Sequence, residues 1–160
     1  MINLWLRSVK NKIFLILILI NSTLGENSNM YLKIVLLLAM LFCHIVDDYY
    51  LQGWLASAKQ KSWWKKNAPD KLYSNDYIMA LCEHAFSWTF MIMLIPTIYT
   101  YFNPYDITHK MYIFVFIFNW ATHCVVDDCK ANKKNINLIH DQLIHILQII
   151  MTWIIFIVIK

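Results

Sequence analysis

YLKIVLLLAMLFCHIVDDYYLQ, residues 31–52, begins as a nearly unbroken apolar run and ends in a histidine, two adjacent aspartates and a glutamine. At 1.5 Å per residue the apolar part is long enough to cross about 30 Å of hydrocarbon as a helix. β-branched residues are common in it, but an apolar run of this length favours helix over strand. Ionisable groups are expensive in such a place and suggest a functional site. NWATHCVVDDCK, residues 119–130, repeats the arrangement.

Three further apolar segments follow, and the four together cover residues 30–50, 77–102, 111–129 and 138–159, with Pro96 a kink site in the second. The chain of 160 residues is 59% hydrophobic and 15% charged, with only 2 glycines and 3 prolines. A water-soluble domain of that composition would expose large apolar patches. The expectation is an all-α polytopic membrane protein, a four-transmembrane-helix bundle in one domain over residues 30–160, with the lipid bilayer as its surroundings. No oligomeric state follows from it. Residues 1–29 form a short N-terminal hydrophobic extension, with Arg7, Lys10 and Lys12 before IFLILILI and then the polar NSTLGENSN. That pattern reads as a signal peptide, as a signal anchor, or as an upstream extension with Met30 the true start. Cys43, Cys82, Cys124 and Cys129 form no CxxC pair and read as small packing residues.

Loop charge orients the bundle. Lys59, Lys61, Lys65, Lys66 and Lys71, then Lys130, Lys133 and Lys134, fall on one side; Lys33, Lys110 and Lys160 fall on the other. The richer side is expected in the cytoplasm, in a multi-pass protein of the bacterial inner (plasma) membrane. KQKSWWKKN, residues 59–67, reads as an interfacial anchor beside anionic headgroups, and no nucleic-acid partner is expected.

The polar residues inside the segments agree in depth. His44 and Asp48 are late in the first, His84 early in the second, His123 and Asp127 late in the third, Asp141 and His145 early in the fourth. Because successive segments alternate in direction, all lie roughly 0 to 10 Å below the cytoplasmic surface. His44/Asp48, His123/Asp127 and Asp141/His145 are each spaced i, i+4, on one helix face, and Gln52 continues the first. The bland account is that such pairs only hold helices together. Taken as a set, they are expected to converge with His84 on one pocket, His44/Asp48 and His123/Asp127 being equivalent half-sites. Imidazole and carboxylate ligands suit Zn, Fe, Mn or Ni, as one or two divalent ions. Asp47 and Asp128 are expected to be rotated away toward solvent or lysines such as Lys130. Glu83 stays open, His140 is expected to face the headgroups, and His109 to have no role.

These residues resemble a family of small polytopic bacterial and phage membrane proteins of uncharacterised function, with the pattern H-x3-D-x3-Q, a histidine in the next helix, H-x3-D-x2-K and D-Q-x2-H. The matching positions are His44, Asp48 and Gln52; His84; His123, Asp127 and Lys130; and Asp141, Gln142 and His145. The resemblance runs from about residue 30 to the C-terminus. It departs at Asp47, where the family has a small residue. It implies Gln52 and Gln142 as supporting residues around a metal site, and a distant similarity to membrane-bound metal-dependent hydrolases. The hydrolase reading takes Asp48 or Asp127 as general base, Lys130 as the holder of an anionic group, and a lipid-linked ester or phosphoester as substrate. The alternatives are a non-enzymatic divalent-metal-binding or transport protein, and a phage membrane effector.

Overall fold

The computed structural model describes residues 26–103 and 109–159. The reading of the N-terminus as a signal or extension lies outside them, except that residues 26–29 continue into the first helix. Helix α1 is Glu26–Ile45, prolonged by a π-helical turn at Val46–Leu51. Two short helices, α2 (Leu55–Ala58) and α3 (Lys61–Asn67), and a 3₁₀ turn at Lys71–Tyr73 lead to α4 (Asp76–Phe102). Helix α5 is His109–Asp128, followed by a π turn at Cys129–Lys133; α6 is Leu138–Trp153, followed by a π turn at Ile154–Val158. No strand occurs among the described residues.

Among the described residues three stretches are long and apolar enough to cross a membrane: Asn29–Leu51, Lys71–Phe102 and Leu138–Val158. The chain is therefore a helical membrane protein. The segment expected at residues 111–129 is a helix, α5, but it is not among the three. Asn119, His123, Asp127 and Asp128 make it more polar than the rest.

The compact unit Leu37–Lys160 is apolar inside and out, as a helix that meets lipid on one side and protein on the other must be. Met40, Trp88, Ile92, Met93, Ile149, Phe156 and Ile157 are fully buried, whereas Phe42, Phe90, Phe114, Phe118 and Leu147 are exposed. Turn residues match helix ends. Asp70 accepts the Leu72 N–H at the 3₁₀ turn, and Asn137 caps α6 by accepting the His140 N–H at 3.0 Å. Inside α4, Thr97 Oγ1 donates to the Met93 carbonyl beside Pro96. The four cysteines are free thiols.

Candidate metal centre

Helices α1, α4, α5 and α6 bring one buried cluster together: Asp47 and Asp48, His84, His123 and Asp127, and Asp141 and His145, none more than 9% exposed. The π turn after α1 explains why both aspartates enter. Its i→i+5 bonding advances the chain through a smaller angle per residue than α-helix does. Asp48 Oδ1 faces His84 Nε2 at 3.3 Å, and Asp47 Oδ2 faces His84 Nδ1 at 3.8 Å. The expectation that Asp47 points to solvent is thus overturned; it is 1% exposed and accepts from Ser87 Oγ at 2.6 Å. Asp128 does point outward, to Lys133 at 3.1 Å and Asn132 at 2.9 Å.

The contact between His84 and His123 is within hydrogen-bond range, and those to Asp127 and Asp141 are longer than good hydrogen bonds. His84 Nε2 lies 3.1 Å from His123 Nε2 and 3.4 Å from Asp127 Oδ2. His145 Nε2 lies 3.6 Å from Asp127 Oδ1 and 3.5 Å from Asp141 Oδ1. Two ligands bound about 2.0–2.1 Å from one tetrahedral ion stand about 3.3–3.4 Å apart. The spacing is that of coordination edges. Two groups can hold an ion: Asp48, His84 and His123, and His123, Asp127 and His145, the ligand atoms of each lying within 4.8 Å of one another. Asp127 turns Oδ2 toward His84 and Oδ1 toward His145, the posture of a bridging carboxylate.

Unsatisfied atoms point the same way. Asp127 Oδ1, Asp141 Oδ1 and His145 Nε2 are buried and have no hydrogen-bond partner among the described residues, and both carboxylate oxygens face His145 Nε2. An orphaned buried acceptor costs about 1–3 kcal/mol, more when charged. Charge adds to this. Asp127 and Asp141 pair with Lys59 and Lys130, and the buried Asp47 and Asp48 have no lysine partner among the described residues, which leaves two carboxylates uncompensated when the imidazoles are neutral. A divalent cation held by His123, Asp127 and His145 would offset that imbalance and give partners to Asp127 and His145, two of the three residues with orphaned atoms.

Outer contacts hold the ligands. His145 Nδ1 meets Gln148 Oε1 at 3.2 Å, which puts the lone pair on Nε2, facing the carboxylates. Gln148 Nε2 in turn donates to Asn119, whose Nδ2 donates to Thr152 Oγ1 at 2.9 Å. Trp88 stacks on His123 with ring centroids 4.3 Å apart.

His44 is engaged on both ring nitrogens. Trp88 Nε1 donates to Nδ1 at 2.7 Å, so Nε2 carries the proton and donates to Gln142 Oε1 at 3.0 Å. His44 therefore stands beside the converging ligands, and its motif is not equivalent to that of His123. Gln142 Nε2 donates to Asp48 Oδ2 at 2.9 Å and Asp141 Oδ2 at 3.1 Å; Gln52 Nε2 donates to Asp48 Oδ1 at 3.0 Å. Lys130 Nζ contacts Asp141 Oδ2 at 2.5 Å. Burial alone would lower its pKa, but this bond and the charge of Asp127 raise it, so Lys130 stays an ammonium.

Sequence reasoning missed Lys59, which was grouped with the interfacial lysines. It is 5% exposed, with Nζ 2.5 Å from Asp127 Oδ2. Asn132 places it, donating to the Lys59 carbonyl and accepting from the Lys61 N–H. Trp54, Trp63 and Trp64 pack edge to face beside it. Glu83, His109 and His140 are exposed and take no part.

No family model, curated protein or solved structure matches the chain.

Proposed function

We propose that this chain is a four-span membrane protein of the family it resembles, with a His/Asp centre near the cytoplasmic face holding one or two divalent ions, zinc, iron, manganese or nickel. We further read it as a metal-dependent hydrolase of a lipid-linked ester or phosphoester. The observation that supports the metal reading is the convergence of His123, Asp127 and His145, ligand atoms within 4.8 Å of one another, with Asp127 Oδ1 and His145 Nε2 unpaired among the described residues. A fourth span, α5, is consistent with its 20 residues and with lining by polar groups that turn inward.

Ions held there supply Lewis acidity and lower the pKa of bound water. The chain does the rest. With an ion held by His123, Asp127 and His145, Asp48 at the edge of an open cleft would be free to accept the proton as water adds to the carbonyl carbon or phosphorus. The ester oxygen leaves with its bonding electrons and takes a proton from solvent at the cleft. Lys130 and Lys59 offset the negative charge that develops.

Transport is the weaker reading. Beyond the polar layer of Asn119, Gln148 and Thr152 the interior is filled by Ile92, Met93, Phe156 and Ile157, with no polar path onward among the described residues. The test is elemental analysis of protein purified without chelator, followed by assay of ester and phosphoester release from membrane lipid. Stoichiometric metal in the wild type, lost on combined His123→Ala and His145→Ala replacement, is the expected result. Wild-type protein that neither retains nor takes up metal would overturn the reading.

A further inference from the structure

Two clefts meet at the centre. One, of about 470 Å³, is the more polar and is lined by Asp48, Gln52, Lys59, Lys130 and Lys134 among others. The other, of about 600 Å³, is apolar and is lined by Leu41, Ile45, Tyr50 and Ile146, with His44 at its inner wall. They share Tyr49 and Gln142. Gln142 also joins His44 to Asp48 and Asp141, so the seam between the clefts is the edge of the metal cluster.

The lysines of the polar cleft differ in what they have left to offer. Lys59 and Lys130 are committed to Asp127 and Asp141, and Lys133 nearby to Asp128. Lys134 is exposed and makes no ion pair among the described residues. Its backbone is left-handed, φ 56°, where glycine would be easier. A side chain there is kept at a conformational cost, and it carries the one uncommitted ammonium of the cleft.

We propose that the ligand of this paired cleft is a lipid whose phosphate head carries a net negative charge: its phosphate lies at Lys134, and one acyl chain lies along Leu41, Ile45 and Ile146. Tyr49 and Gln142 stand at the junction between the polar head and the apolar tail. An amphiphile lying across that junction presents its ester or phosphoester to Asp48. The apolar cleft alone would accept any acyl chain; the unpaired lysine makes the choice anionic. The proposal rests on the hydrolase reading for what happens to the lipid, but not for its binding.

The test is therefore done on full-length protein in neutral detergent, both as purified and after chelation. Binding of dioctanoyl phosphatidic acid, dioctanoyl phosphatidylcholine and inorganic phosphate is compared by native mass spectrometry and calorimetry. The expected result is at least a tenfold preference for phosphatidic acid over phosphatidylcholine, with phosphate alone binding far more weakly than either lipid. Lys134→Gly, which relieves the backbone as it removes the charge, should abolish most of that preference without loss of thermal stability. Ile146→Trp, which fills the apolar cleft, should weaken both lipids several-fold. Equal binding of the two lipids, binding of phosphate as tight as that of phosphatidic acid, or an unchanged preference in Lys134→Gly would each overturn the proposal. Metal content is read separately on untreated protein. Metal retained with no lipid preference sinks this inference alone, and lipid preference without metal sinks the hydrolase reading alone.

Discussion

The Nε2 atoms of His84 and His123 lie 3.1 Å apart, on neighbouring helices and buried from solvent. They must share either a proton or a cation. In metal-free protein a proton can be shared: with His84 protonated on Nδ1 toward Asp47, its Nε2 accepts from His123 Nε2–H, and His123 Nδ1 is left without a partner among the described residues. A shared cation uses both Nε2 lone pairs. Bridging by Asp127 then predicts a graded loss. His84→Ala should remove one ion, His145→Ala the other, and Asp127→Ala both, in elemental analysis of protein whose helical content is checked by circular dichroism. Equal metal content in all three variants would rule out a bridged pair.

His44 should behave differently. Its ring is fixed by Trp88 and Gln142, and it reaches the cluster only through Gln142. Outer contacts of this kind typically change metal affinity about 10–100-fold. His44→Ala should therefore weaken binding by that order while full occupancy is still reached at high metal. Titration against a competing chelator measures it, and loss of stoichiometry would instead place His44 among the ligands.

Much of the cluster was legible in the sequence because depth and the i, i+4 period need only an apolar run and a helix. Both rules also extend inward from the motifs: Asn119 precedes His123 by four residues, Trp88 follows His84 by four, and Gln148 follows His145 by three. Two features were not legible. The π turn at Val46–Leu51 changes the angular step just where Asp47 and Asp48 lie, and no residue type announces it. Lys59 reaches Asp127 across 68 positions of sequence through a loop clamped by Asn132, which a local pattern cannot reveal. His44 failed as an equivalent of His123 for a related reason, since its partners Trp88 and Gln142 come from other helices.

Lys59 yields a stability prediction. Its ammonium is the partner of Asp127 Oδ2 within hydrogen-bond range. Breaking a buried ion pair by removing one member costs about 3–5 kcal/mol. Lys59→Met should lower stability by that order in chelator, and by much less with metal present, because an ion takes over the carboxylate. Denaturant unfolding with and without metal reads the difference. Equal destabilisation in both conditions would mean that lysine and metal do not share Asp127.

Gln148 tests the tautomer of His145. Its side chain accepts from His145 Nδ1 and donates to Asn119. Gln148→Leu should cost about 1–3 kcal/mol from the donors and acceptors it strands. It should also free His145 to protonate either nitrogen. Nitrogen-15 chemical shifts of the ring, which separate the two tautomers, are expected to report a single Nε2-bare form in the wild type and a mixture in the variant.

The two aspartate pairs give the sharpest contrast. IVDD and VVDD look alike, but Asp47 is buried against His84 and Ser87, whereas Asp128 is turned out to Lys133 and Asn132. Asp47 Oδ2 stands 3.8 Å from His84 Nδ1 and is unpaired among the described residues, so a metal that draws the imidazole onto it would fix the ring and raise its basicity, an effect typically worth about 10–100-fold in metal affinity. Asp47→Asn should therefore weaken metal binding by that order, and Ser87→Ala should do so less, since it only loosens Asp47. Asp128→Asn should leave binding unchanged and trim stability by less than about 1 kcal/mol, the worth of an exposed pair. Chelator titration of the three variants decides it. Asp128→Asn matching Asp47→Asn would mean that both pairs act through general charge alone, and the orienting role of Asp47 would be lost.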